Sequence, residues 1–125
     1  MKIDDEFIAS QKIYLQDLIA FKEHPKTLQE FDRLGFKDWY DLPLAIITRE
    51  HVSAVLERYL KGLLTAGDIY DWAESLAGRS TIGYENNYDK LISSIIMNIV
   101  TDHITGISLT EQQAIAYLSQ LHDNI

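Results

Sequence analysis

The stretch Val55–Glu85, VLERYLKGLLTAGDIYDWAESLAGRSTIGYE, decides the fold class. Val55, Leu56, Tyr59, Leu60 and Leu63 recur at three and four residues, the spacing that gives a helix one apolar side, and Val52 extends the stripe towards Thr48. Glu57 and Lys61 stand four apart on the opposite side, an arrangement that suits a solvated helical face. Gly62 lies near the end of this helix. Thr65 then has Asp68 three residues on, the reciprocal spacing of a capping box. Ile69, Trp72, Ala73 and Leu76 follow as a second inward stripe, which Gly78 closes. Register assigns Trp72 to the core. Two helices with their own start and stop signals, one after the other, predict a helical bundle.

Working outward, helical periodicity continues on both sides. A first helix is predicted over Asp5–Glu23, with Ile8, Leu15, Leu18 and Ile19 inward and Phe7, Tyr14 and Phe21 widening the stripe. Asp4, Asp5 and Glu6 suit the positive end of its dipole, and His24-Pro25 is expected to stop it. A shorter helix is predicted over Thr27–Leu34, ended by Gly35. Phe36–Leu44 reads as irregular. Ala45-Ile46-Ile47 has the composition of a short strand, but no second strand-like run is evident, so it reads as a buried connector. After the loop Arg79–Asn87, the residues Leu91, Ile92, Ile95, Ile96, Ile99 and Val100 predict a very apolar, central helix. Gly106 breaks the chain. Ser108 or Thr110 then caps a last helix, with Glu111 or Gln113 three residues on, and Ile115, Leu118 and Leu121 are expected to face the core. The predicted fold is all-α: a single domain, residues 1–125, of five or six helices.

Composition narrows the chemistry. The chain of 125 residues has the length of one domain, and its 46% hydrophobic and 24% charged residues are those of an ordinary globular protein. It has no cysteine, so thiol chemistry and thiolate metal sites are excluded. The start, MKIDDEF, lacks the basic-then-apolar layout of a secretory signal, and the longest apolar run, Leu42–Ile47, contains a proline and is far too short to span a bilayer. A cytoplasmic location is the expectation. The net charge of −8 is unevenly spread. Residues 1–61 carry nine basic and eleven acidic side chains; residues 62–125 carry two basic (Arg79 and Lys90) against eight acidic, and no Lys or Arg follows Lys90. That sign opposes binding to nucleic acid and to anionic membranes; it would attract a basic protein partner, and it equally suits plain solubility with no basic partner at all.

No catalytic motif emerges. His24, His51, His103 and His122 are not spaced as helical zinc ligands, and His103 reads as a helix-end residue offsetting the dipole. The six glycines form neither a phosphate loop nor a dinucleotide fingerprint, and no calcium loop is present. The expectation is a protein without a cofactor or metal that is not an enzyme. Two stretches combine acids with aromatics: Asp38, Trp39, Tyr40 and Asp41; and Tyr70, Asp71, Glu74, Tyr84, Glu85, Tyr88 and Asp89. Tyrosine and tryptophan are frequent energetic centres of interfaces, and carboxylates around them can pair with Lys and Arg. For Trp39 a core position is the simpler reading, and Asp68, Asp71 and Glu74 also fit a plain solvated face. The second stretch is the candidate partner-binding surface, with Tyr84 in a polar exit loop, Thr81–Asn87.

The block Ala54–Glu85, the apolar helix after it and the closing SLTEQQAIAYLSQL (Ser108–Leu121) resemble small bacterial immunity proteins of contact-dependent growth inhibition and related polymorphic toxin systems. The most distinctive matches are Tyr59-Leu60-Lys61-Gly62, Asp71-Trp72-Ala73 and Ile82-Gly83-Tyr84-Glu85, and the likeness covers roughly the C-terminal two thirds. The resemblance implies inhibition by binding: the protein would occlude the C-terminal toxin domain of a cognate effector, often a nuclease, in the cytoplasm. Such proteins share no catalytic residues, and their contact positions vary from pair to pair, so the resemblance transfers no site residue. A helical adaptor or regulatory subunit that binds another protein, including a second copy of itself, is the alternative reading.

Overall fold

The structure, a computed structural model, describes residues 12–13, 15–21, 45–77 and 82–123. The predicted Thr27–Leu34 helix, the Phe36–Leu44 segment with its Asp38–Asp41 aromatic patch, and Arg79 lie outside these residues. Within them the protein is mainly helical. The end of a first helix, α1, occupies residues 12–13 and 15–19. It is followed by strand β1 (Ala45–Ile47), helices α2 (Arg49–Leu60) and α3 (Ala66–Leu76), strand β2 (Ile82–Tyr84), and helices α4 (Asp89–Ile104) and α5 (Glu111–Asp123).

The expected all-α fold therefore needs correction, because β1 and β2 pair in parallel with Ala45, Ile46 and Ile47 opposite Ile82, Gly83 and Tyr84. The Glu85 N–H donating to the Ile47 carbonyl at 2.8 Å extends the ladder by one rung. Ala45–Ile47 does find a partner, in a run whose central glycine hides its strand character. Parallel neighbours need a long crossover connection, and α2 with α3 supplies it. Ala45, Ile47 and Ile82 are buried, whereas Ile46 faces out opposite Gly83.

The helix starts follow the sequence closely. Thr48 caps α2: its hydroxyl accepts the His51 N–H, and its own N–H donates to His51 Nδ1 at 3.0 Å. Thr65 and Asp68 form the predicted capping box of α3. Thr110, rather than Ser108, caps α5, accepting the Gln113 N–H. At the helix ends Gly62 and Gly106 take positive φ, +79° and +90°. Each stands in a Schellman arrangement: Gly62 and Leu63 donate to the carbonyls of Tyr59 and Arg58, and Gly106 and Ile107 to those of His103 and Asp102.

α1 ends earlier than predicted. Helical geometry stops at residue 19, before Phe21 with φ +56°, and not at His24-Pro25. A left-handed phenylalanine is strained, and what holds it comes from elsewhere in the fold. The Trp72 indole N–H donates to the Ile19 carbonyl at 2.9 Å, and Arg58 donates to the carbonyls of Ala20 and Phe21 while its guanidinium lies 5.6 Å from the Phe21 ring centre. The last carbonyls of a helix have no partner within it; here α2 and α3 provide them.

One core joins all of these elements. α4 contributes Ile92, Ile95, Ile96 and Ile99 and packs most extensively against α3, through Ile69, Trp72, Ala73 and Leu76. α2 adds Val52, Val55 and Leu56 and packs against α5. Two expected core residues are not there: Leu63 is 68% and Ile115 58% exposed. Leu63 follows the glycine that has already turned the chain out of α2. On α5 the buried set is Ala114, Tyr117 and Leu121, with Leu118 half-buried, so the inward stripe misses Ile115. The Tyr59 hydroxyl ties α2 to the segment before α5, donating to the Leu109 carbonyl at 2.8 Å.

Candidate functional site

β1 and β2 both run towards the start of α2, so Thr48, Arg49 and Glu85 meet just beyond their carboxyl ends. The Glu85 carboxylate accepts the Arg49 backbone N–H at 2.9 Å, the Arg49 Nε–H at 3.2 and 3.3 Å, and the Nη2–H at 3.0 Å. One anion thus satisfies a first-turn N–H at the positive end of α2 and neutralises its first cation. The Arg49 guanidinium also lies 3.6 Å from the centre of the Tyr88 ring, within cation–π range. The hydrogen bonds from the Arg49 side chain, and then from its backbone, hold the Glu85 carboxyl below its ordinary range. Glu85 in turn raises the Arg49 guanidinium. Beside this cluster an open cleft of about 490 Å³ is lined by Thr48, Arg49, Ser53, Glu85, Leu121 and His122 among others. His51 stands at the same helix start; burial lowers its pKa below 6.5, in keeping with an Nδ1 that accepts the Thr48 N–H.

A second cluster lies on α3. The Tyr70 ring stacks on His103, in the last turn of α4, with centroids 4.0 Å apart and planes at 12°. Burial, followed by the Glu74 charge, the hydrogen bond to Glu74 and the Asp71 charge, pushes the Tyr70 hydroxyl above its ordinary range. Glu74 is exposed and Asp71 half-exposed. Asp68 has a different duty, since its carboxylate accepts the Thr65 N–H in the capping box.

The seven residues expected to form one surface therefore divide. Tyr70, Asp71 and Glu74 lie towards the His103 end of α4, while Glu85, Tyr88 and Asp89 lie at its beginning. At 1.5 Å per residue, the length of α4 between Asp89 and His103 is about 20 Å. Tyr84 is half-buried on β2 against the core, not in a polar loop. Asp89 is exposed in the first turn of α4, where its charge suits the dipole. Arg49 was missed by the sequence reading, and nothing local reveals it: the partner that defines its role is 36 residues away. Among the described residues no group of three or more metal-capable side chains gathers, and no helix is long and apolar enough to cross a membrane. Comparison with family models, curated proteins and solved structures gives no match.

Proposed function

We propose that this chain is an immunity protein that binds and neutralises a cognate, basic toxin domain, of the nuclease type, in the cytoplasm. The observation that carries the proposal is the outer side of α3, where Tyr70, held flat by His103, stands beside the carboxylates of Asp71 and Glu74. A rigid aromatic rimmed by negative charge suits a partner that presents Lys and Arg. The lopsided charge of the chain, with eight acids against two bases after residue 61, supports the same reading. Glu85 and Tyr88 make contacts to Arg49, and we centre the contact surface on Tyr70, Asp71 and Glu74. Inhibition by binding needs no cofactor, and the protein is proposed not to be an enzyme.

The test is to mix the purified protein with the toxin domain encoded by the gene directly upstream. A complex should survive gel filtration at physiological salt and suppress the toxin's activity. Asp71→Lys with Glu74→Lys should slow association by about tenfold at low salt, through loss of electrostatic steering. Absence of any complex refutes the reading.

A further inference from the structure

The outward half of that surface is bordered on α4 by an apolar stripe that the core uses only in part, through Val100. Met97, Val100 and Ile104 recur at spacings of three and four, so they share one side of the helix. Met97 is 45% and Ile104 69% exposed, and Val100 is half-buried. The inward side of α4 is already occupied by Ile92, Ile95, Ile96 and Ile99. His103, next to Ile104 and one turn from Val100, carries the Tyr70 ring, which brings α3 alongside this stripe. Glu74 lies one turn from Tyr70 on the same side of α3. The two helices together present a strip with an apolar middle and a carboxylate edge. Apolar residues aligned in this way mark interaction sites more often than singly scattered ones do.

Charge selects the occupant. A second copy of this chain would bring another net −8 against the strip, and an anionic membrane is repelled for the same reason. A helix with apolar residues at i, i+3 or i+4 and i+7, flanked by Lys or Arg, complements both the stripe and its edge. We propose that the α3–α4 strip is a docking site for a basic amphipathic helix of the partner protein, Met97, Val100 and Ile104 taking its apolar face and Glu74 its cations. This rests on reading the chain as a protein-binding inhibitor, yet it can be tested separately.

Isotope-labelled protein is titrated with a synthetic helical peptide of leucine and lysine in amphipathic order. The largest amide shifts should fall on Tyr70–Glu74 and Met97–Ile104. The same peptide with glutamate in place of lysine should bind at least about tenfold more weakly, as like charges meet. Met97→Asp with Ile104→Asp should weaken the lysine peptide by about tenfold or more, as loss of an apolar anchor does. Met97→Ser with Ile104→Ser, a milder change at exposed positions, should give the same direction with unaltered circular dichroism. Shifts that spread over the whole surface or centre on Arg49, or unchanged binding in both double variants, overturn the proposal. A toxin complex that persists undiminished in those variants overturns the docking strip while leaving inhibition intact. Peptide binding confined to the strip, with no toxin complex, supports the strip and removes the inhibitory reading.

Discussion

Replacing Trp72 by Phe tests how the fold closes the end of its first helix. Trp72 is completely buried, and its indole N–H donates to the Ile19 carbonyl, itself on a residue 1% exposed. Phenylalanine fills most of the site but has no donor. The Ile19 carbonyl would then be buried without this partner, a cost of about 1–3 kcal/mol. The missing indole ring leaves a void on the order of 40 Å³, worth about 1 kcal/mol at the usual cost per unit of cavity volume. Together the loss should be about 2–4 kcal/mol, a large part of the roughly 5–15 kcal/mol that holds a typical domain folded. Urea unfolding followed by far-UV circular dichroism should show a midpoint about 1–2 M lower with an unchanged slope. Hydrogen exchange should quicken most at Ala20 and Phe21, the turn that Trp72 and Arg58 hold. A destabilisation under about 1 kcal/mol would refute the reasoning, since an unpaired buried carbonyl alone should cost more.

Other perturbations probe the sheet edge and the turns. Glu85 has its carboxyl pKa lowered by Arg49 in the folded chain, so its contribution is complete above the ordinary value of 4.5 and is lost as pH falls through the lowered folded value. Glu85→Gln should therefore flatten the acid limb of a plot of urea midpoint against pH; an unchanged limb would assign acid sensitivity to other carboxylates. For His51, whose folded pKa lies below 6.5, the unfolded chain takes up the proton first. Its contribution is whole above pH 6.5 and declines as pH drops towards the lowered folded value. Nuclear magnetic resonance titration of the imidazole should give a midpoint below 6.5, and a midpoint at or above that value contradicts the Nδ1 contact with Thr48. Gly106→Ala would place its Cβ in open space but at φ +90°, so thermal unfolding should register backbone strain alone, about 1–2 kcal/mol. A neutral substitution there would argue that the turn after α4 relaxes freely.

Much of the helical framework was legible in the chain itself. Thr65 with Asp68 marked the start of α3, Gly62 and Gly106 marked two ends, and the spacing of Ile69, Trp72, Ala73 and Leu76 defined a face, because each signal acts within a turn or two of helix. The reading failed where a distant segment decides. Periodicity carried α1 on to Glu23, but its end is fixed by Trp72 and Arg58, which take its final carbonyls. Ile115 fits a helical stripe as well as Ala114 does, and only the position of α2 chooses between them. The candidate surface divided for the same reason, since charge and aromatic content can be read along the chain while the pairing of those charges cannot.

What the sequence alone determined is local: where helices begin and turn, which residue types line their faces, and that the C-terminal half is negative. What the tertiary structure decided is which of those features remain outward. The parallel pairing of Ala45–Ile47 with Ile82–Tyr84 carries Glu85 to the start of α2, where Arg49 takes its charge, while Tyr70 stacks on His103 in the last turn of α4. Helix signals are set by neighbours three and four residues away. An ion pair across 36 residues exists only once the chain has closed around its core.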